Sequence, residues 1–382
     1  MATTYDYIIT GGGAAGRSLL CHLLQSPLRG KSILLIDREH KQENDRTWCF
    51  WEKEPGFFED IVFHSWDQLW VHTGGMSRLM PIAPYTYKLI RGIDFYRFTD
   101  EMIDRLPNVE RLYAPVEQID NTPNGVLVRA GGQEFRAAWC FNSIFFGNID
   151  KEQVHYLDQH FRGWFIQTQQ PVFDPGQATL MDFRLPQLEE TRFLYVLPYS
   201  PTEALVEVAI FSNQHLSCEA YDDILRQYIQ THLPQAGGYT IQQAESGNIP
   251  MTDHDFRRMD GRIVHLGMAG GDTRASSGYT FFNIQRRSAR LVQQLTLSGA
   301  PAASEPRARQ RARFYDHLFL RVLEKGYYPG DELFGRLFSR NRSSQVLSFL
   351  NAETTLLQEL RLTASLPKWP FLRALFGSVA SK

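Results

Sequence analysis

The segment between residues 5 and 37 narrows what this chain can fold into. Y-D-Y-I-I-T is followed by G-G-G-A-A-G, a helical stretch, and then S-I-L-L-I-D. Gly11, Gly13 and Gly16 make G-x-G-x-x-G, and Asp37 closes the next apolar strand about 20 residues on, the spacing of a dinucleotide fingerprint. The first glycine permits a tight turn, the second lets backbone approach a pyrophosphate, and the third lets helix and strand pack closely. Ala14 and Ala15 leave the helix N-terminus clear, so its partial positive charge faces the phosphates. Asp37, followed by Arg38, is placed to meet a ribose.

The 382 residues suffice for one large domain or two intimate ones, and 43% apolar content supports a sizeable core. A net charge of −2 argues against a nucleic-acid partner. Cys21, Cys49, Cys140 and Cys218 are scattered without metal-ligand spacing, so no metal site is expected; they suit the reduced thiols of a cytoplasmic protein. The first strand begins almost at the N-terminus, so no signal peptide is expected, and no run approaches the ~18 apolar residues of a membrane span.

Beyond the opening βαβ unit, V-E-Q-I-D, V-L-V-R and E-F-R-A form a three-stranded meander, and W-C-F-N-S-I-F-F suits a buried parallel strand. Residues 151–256 predict long strands (F-I-Q-T-Q-Q-P-V-F, A-T-L-M-D-F, F-L-Y-V-L-P, A-L-V-E-V-A-I-F) interrupted by a helix near Glu219–Leu233. R-I-V-H-L-G-M-A-G-G-D returns to a strand ending in glycines, a helix follows over Thr280–Ser298, and the chain is mostly helical from Glu305. The expected fold is α/β: a Rossmann-like domain with an inserted β-meander (residues 1–150 and the return segment 257–300), a mixed β-sheet substrate domain (151–256), and a helical C-terminal region (301–382).

The returning segment decides between dinucleotides. A meander inserted in a Rossmann-like unit is familiar from FAD-binding proteins, and in those a late strand–glycine–helix segment holds the flavin. Gly270, Gly271, Asp272, Gly278 and Tyr279 are the candidates here. Arg46 and Arg91 are placed to reach a phosphate, although a lone arginine is more often a surface or salt-bridged residue. FAD is therefore the expected cofactor.

Further segments resemble the lycopene β-cyclase family. They are D-R-T-W-C-F-W (Asp45–Trp51), L-P-Y-S-P-T-E-A-L-V-E (Leu197–Glu207), G-N-I-P-M (Gly247–Met251), S-S-G-Y-T (Ser276–Thr280), and the C-terminal stretch from R-F-Y-D-H-L-F-L-R-V-L to S-L-P-K-W-P-F-L-R-A-L-F. The resemblance covers nearly the whole chain. One departure stands out: family members commonly carry a second acid directly after the essential glutamate, whereas Val208 follows Glu207. That leaves the proton donor and removes a plausible helper.

The resemblance implies a redox-neutral cyclisation of the ψ-ends of lycopene, through γ-carotene to β-carotene, with reduced FAD required and NAD(P)H as electron source. It makes Glu207 the catalytic acid. Alternation over Ala204–Phe211 puts Glu207 on one face with Leu205 and Ala209, and an apolar setting would keep its carboxyl protonated. A solvent-facing strand glutamate is the alternative. Trp48, Phe50, Trp51, Tyr195 and Tyr279 are candidates to face a cation, Tyr279 first among them, with ordinary core packing the default role of each, and Asp182 is expected to pair with Arg184. A C40 polyene also requires contact with a membrane surface, here the inner face of the cell membrane. Trp369, Phe371, Leu372, Leu375 and Phe376 among Lys368 and Arg373, and the arginines of Arg307–Arg313, are the candidate contacts; a helix packed on the body is the alternative for the first group, and a solvated basic helix face is the default for the arginines. A flavin-dependent reductase or monooxygenase on a prenyl lipid, or a carotenoid carrier, remains an alternative.

Overall fold

The computed structural model describes residues 3–302 and 304–379. Its first sheet is built outward from Thr3–Thr10, which lies parallel between Ile33–Asp37 and Gln133–Asn142. Val109–Tyr113 adds beyond Ile33–Asp37, and Ile263–His265 beyond Gln133–Asn142, both parallel. These strands are apolar on both sides because both faces are covered. Helices Ala14–Leu24 and Phe281–Ser298 bury Leu19, Leu23, Leu291 and Leu295 against Tyr7, Ile9 and Leu35. On the other face Ile8, Leu34 and Ile36 pack against the meander residues Val126, Val128 and Phe135.

The meander is present as Val116–Thr122, Gly125–Ala130 and Gln133–Asn142. Its third strand is longer than expected: the same ten residues pair with the meander at one end and with Thr3–Thr10 throughout most of their length. The expected parallel strand is thus a continuation of the meander. It stops at Asn142, and Phe145 and Phe146 of the apolar run are exposed.

The second sheet has seven strands, in the order Tyr239–Thr252, Tyr156–Thr168, Glu203–Ser212, Thr191–Pro198, Gln177–Asp182, Gln68–Thr73 and Met76–Pro81. All neighbours are antiparallel except Gln177–Asp182 with Gln68–Thr73. The hairpin 68–81 therefore crosses the expected boundary: it lies in the segment assigned to the nucleotide domain but completes the substrate sheet. Its alternating Leu69, Val71 and Met80 are buried with that sheet's core, and this long-range pairing leaves no local signal.

Helix Cys218–His232 covers one face of the second sheet, meeting Val206, Val208 and Ile210. The C-terminal helices cover part of the other, where Phe334, Leu337 and Phe338 pack with Phe183, Phe193 and Phe211. Two histidine–carboxylate contacts tie helix Arg307–Glu324 to the sheet: His155 Nδ1 to Glu324 and His317 Nδ1 to Asp253, both 2.5 Å. A small sheet of Thr47–Glu52, Thr86–Arg91 and His64–Trp66 bridges the two large ones.

Candidate active site

A cavity of ≈ 480 Å³ lies where these parts meet. Gly13, Ala14 and Ala15 line it from the glycine turn, Arg46, Thr47, Trp48 and Cys49 from the small sheet, Leu205, Glu207 and Glu245 from the second sheet, and Ser277–Phe281 from the returning segment. A larger groove of ≈ 810 Å³ beside Val109–Tyr113 is open to solvent and lined by charges that pair with one another, such as Arg111 with Asp100 at 3.0 Å.

The glycine turn is shaped for close approach. Gly11 has φ +93°, and a Cβ there would meet Ser143 Oγ at 2.1 Å; a Cβ on Gly16 would meet the Gly11 carbonyl at 2.0 Å. A Cβ on Gly13 would meet nothing, so at this point the backbone faces open space. No side chain caps helix Ala14–Leu24, which leaves its first N–H groups free for an anion. Two buried polar atoms on the cavity wall have no hydrogen-bond partner, Gln159 Oε1 and Ser277 Oγ, while the Tyr279 hydroxyl meets those of Tyr87 and Tyr195. Open glycine backbone, an uncapped helix and orphaned polar atoms around one cavity fit a phosphate-bearing cofactor with a polar ring.

The predicted cofactor residues are not all brought here. Gly13, Ala14, Ala15, Arg46, Gly278 and Tyr279 line the cavity. Asp37 ends its strand beside the turn, with its carboxylate accepting from the Gly12 N–H (2.7 Å). Arg38 is exposed and lies 3.5 Å from Glu39. Arg91 is held by Asp94 (2.5 and 3.0 Å) and lies over the Phe63 ring, away from the cavity. Gly270, Gly271 and Asp272 sit one turn behind the wall, where Gly267 and Met268 stand instead. Asp272 braces that turn by accepting from the Gly267 N–H (2.7 Å) and pairing with Arg258 and Arg287.

On the second sheet, alternation does what the sequence predicts. Leu205 and Glu207 face the cavity, while Ala204, Val206, Val208 and Ile210 face helix Cys218–His232. Val208 is fully buried there. An acid at 208 would point away from Glu207, so its absence removes nothing from this cavity.

The second carboxyl comes from across the sheet. Gly163 pairs with Glu207 on one side and with Glu245 on the other, so the three form one cross-strand row with Tyr195 beside Glu207. Gly163 has no side chain, and the two carboxyls meet above it; a Cβ there would lie 3.0 Å from Glu207 Oε2. Glu207 and Glu245 are within hydrogen-bond reach of each other. Thr47 Oγ1 donates to Glu245 Oε2 (2.8 Å).

Burial, then the charge of Glu245 and the hydrogen bond to it, push the Glu207 carboxyl well above the usual carboxylate range. Glu207 is half-buried and lines the cavity. Burial also raises Glu245, partly offset by the hydrogen bonds from Thr47 and Glu207. Two like charges side by side in a protein interior repel, so ionising one carboxyl disfavours ionising the other. The pair therefore holds at least one proton near neutrality, and Glu207 is the member that keeps it.

Among the described residues no cation stands beside Glu207; Arg46 acts on Glu245 alone. Burial raises the Cys49 thiol and the Tyr87, Tyr195 and Tyr279 phenols, so all four stay neutral. Trp48, Tyr195 and Tyr279 present rings to the cavity; Phe50 and Trp51 pack behind them, with Trp51 edge-on to Tyr279 at 4.5 Å. Asp182 lies elsewhere, bound by Arg184 and the Tyr228 hydroxyl, both at 2.6 Å.

Sequence reading missed Glu245, Gly163 and Gln159. The signal available was a glycine inside an apolar strand (F-R-G-W-F), which marks close approach, and an acid just before G-N-I-P-M.

At the C-terminus, Trp369, Leu372 and Phe376 are exposed, while Phe371 and Leu375 pack inward beside fully buried Ala374. Of the four arginines in Arg307–Arg313, Arg309 donates to the carbonyls of Gly271, Asp272 and Thr273, Arg311 pairs with Glu359, and Arg313 with Asp255. The expected solvated basic face is thus largely turned to internal partners. Among the described residues no helix is long and apolar enough to cross a membrane.

A family model described as lycopene cyclase protein matches residues 6–376. A lycopene beta-cyclase from Pseudescherichia vulneris is 26% identical over 259 residues; the match covers 65% of this chain and 62% of that protein, so less than two thirds of the relative is spanned. Among solved structures, the fold is similar to a geranylgeranyl bacteriochlorophyll reductase-like protein from Thermoplasma acidophilum (TM-score 0.62, 11% identity, covering 97% of this chain and 98% of that one). It is also similar to a flavoprotein/dehydrogenase from Cytophaga hutchinsonii (0.62, 14%, 95% and 98%) and to p-nitrophenol 4-monooxygenase from Pseudomonas putida (0.59, 15%, 95% and 93%).

Proposed function

The chain belongs to the lycopene cyclase family, and from that premise we propose that it is a lycopene β-cyclase, an isomerase of carotenoid biosynthesis that closes the ψ-ends of lycopene to β-rings through γ-carotene, with Glu207 as the acid. The observation that carries this reading is a pair of carboxyls, Glu207 and Glu245, meeting on the wall of a cavity that also touches the glycine turn, an arrangement that favours the protonated form of Glu207.

Glu207 delivers its proton to the terminal double bond of a ψ-end. The resulting cation is attacked by the neighbouring double bond, the ring closes, and loss of a ring proton gives the β-end. Atoms balance without oxidant or reductant. Burial keeps Glu207 protonated at neutral pH, which a general acid needs. The apolar walls keep water from capturing the cation, and the faces of Trp48, Tyr195 and Tyr279 stabilise it.

Gly13, Ala14, Ala15, Gly16 and the helix behind them are the residues to hold the pyrophosphate of FAD, with Gly11 shaping the turn, Asp37 near the ribose and Arg46 near the phosphates. Gln159, Ser277, Gly278 and Tyr279 are the residues to meet its ring. Bound FAD, reduced at the expense of NAD(P)H, would supply negative charge and an electron-rich face beside the cation. Trp369, Leu372 and Phe376, flanked by Lys368 and Arg373, are the residues to rest on the cytoplasmic face of a bilayer from which lycopene is drawn.

Expression in a host that accumulates lycopene, followed by chromatography, tests the reading. Appearance of γ- and β-carotene supports it. Unchanged lycopene with folded, FAD-loaded protein overturns it, as does an oxygenated or hydrogenated product.

A further inference from the structure

We propose that Glu245 is the base that completes the reaction: its carboxylate removes the proton from the newly closed ring and returns it to Glu207 across the contact above Gly163. This rests on the reading of Glu207 as the acid. The balance is closed. Glu207 loses a proton to the terminal double bond and becomes a carboxylate. The ring C–H bond breaks, its electron pair forms the ring double bond, and its proton goes to Glu245. Glu245 then passes that proton to Glu207, and both groups return to their starting states with no net proton taken up or released.

Three observations carry the assignment. Both carboxyls line one cavity, so a group held there is within reach of each. They belong to one row of the sheet, and the only residue between them is a glycine. Their environments differ in the direction that separates an acid from a base. Glu245 accepts a hydrogen bond from Thr47 and has Arg46 nearby, both of which favour its ionised form. Among the described residues, no side chain donates to Glu207, whose one hydrogen-bond partner is Glu245, to which it donates.

The other titratable groups around the pair leave these two to act. Cys49 faces both carboxyls, and Tyr195 and Tyr279 face Glu207 with Tyr87 behind them; burial keeps all four neutral. Asp45 and Arg46 flank Glu245 with opposite charges.

The test uses the FAD-loaded protein, its flavin kept reduced under oxygen-free conditions, with lycopene in phosphatidylcholine vesicles, assayed from pH 5 to 9 for rate and ring type, with bound flavin measured by absorbance. Wild type is expected to show a bell-shaped profile, with Glu245 giving the acid limb and Glu207 the alkaline limb. Glu245→Gln is expected to keep its FAD, to form β-rings at least 100-fold more slowly, and to lose the acid limb. Its alkaline limb should move to lower pH because the neighbouring charge is gone. Glu245→Asp should recover at least a tenth of the lost rate. The proposal is overturned if Glu245→Gln makes β-rings within threefold of wild type with both limbs unchanged. It is equally overturned if the loss tracks loss of FAD and Glu245→Asp does no better. Glu207→Gln separates this from the premise: if that variant still cyclises, the acid assignment itself fails, whereas an inert Glu207→Gln beside an unimpaired Glu245→Gln removes only the base.

Discussion

Glu207 and Glu245 stand two strands apart in one cross-strand row, with only Gly163 between them. Their meeting is a product of sheet geometry, because side chains in one row share a face and a glycine leaves that face empty. A carboxyl pair that no stretch of sequence contains is thereby assembled at the wall of the cavity.

The Gly163 position is the first test of that geometry. A Cβ there would lie 2.9 Å from Leu205 Cδ1 and 3.0 Å from Glu207 Oε2. Gly163→Ala should displace the acid by a few tenths of an ångström to an ångström and lower the rate of ring formation by roughly 10–100-fold. Flavin binding should be unchanged, since Gly163 belongs to the second sheet and does not itself line the cavity. Steady-state rates with flavin absorbance check both.

Val208 gives the opposite expectation. Restoring an acid after Glu207 with Val208→Asp should add no activity, because position 208 faces Leu225 and Ile229 of helix Cys218–His232. An unpaired carboxyl there should cost about 3 kcal/mol or more of stability. Urea denaturation measures the loss, and a rise in turnover would contradict the orientation.

The raised Glu207 carboxyl also predicts how stability depends on pH. An unfolded chain releases this proton near pH ~4.3, whereas the folded one holds it to higher pH, first because of burial and then because of the Glu245 charge. Between those two points the unfolded state binds fewer protons, so this group lowers folding stability as pH rises, by up to about 1.4 kcal/mol per pH unit. Glu207→Gln removes the effect. Its urea midpoint should match wild type near pH 4 and exceed it increasingly at pH 6 and 8, in the same flavin state.

At the C-terminus, Trp369 is 79% and Phe376 66% exposed, while Ala374 is fully covered. Replacing Trp369, Leu372 and Phe376 by Ser should weaken binding to anionic liposomes at least tenfold and leave the folded body intact. Removing the whole segment is a poorer test, because Phe371 packs against Phe319 and its loss would uncover helix Arg307–Glu324. Liposome sedimentation of the triple variant gives the answer.

Much of this was legible in the sequence because it is local. The glycine turn, Asp37 and the strand–helix–strand pattern lie within one βαβ unit, and alternation over Ala204–Phe211 placed Glu207 and Val208 on opposite faces. Helices at Cys218–His232 and Phe281–Ser298 fall within two residues of where periodicity put them. What escaped depends on distant pairing. Glu245 becomes a neighbour of Glu207 only through Tyr156–Thr168, and the hairpin 68–81 joins the second sheet only through Gln177–Asp182. Arg91 matched a phosphate-binding position by spacing, but Asp94 one turn later holds it. Gly270–Asp272 had the right composition, yet the positive φ at Gly267 and Gly271 folds that stretch into a tight turn that presents Gly267 and Met268 to the cavity.

The central claim is that Glu207 starts a cyclisation without net redox change. Purified, FAD-loaded wild type and Glu207→Gln, compared side by side on lycopene in vesicles under reducing, oxygen-free conditions, test it most directly. The prediction is β-ring formation by wild type with no reductant consumed in proportion to product, and a rate at least 100-fold lower for Glu207→Gln with its flavin still bound. Wild-type rates in Glu207→Gln, or one equivalent of reductant consumed per ring, would contradict it.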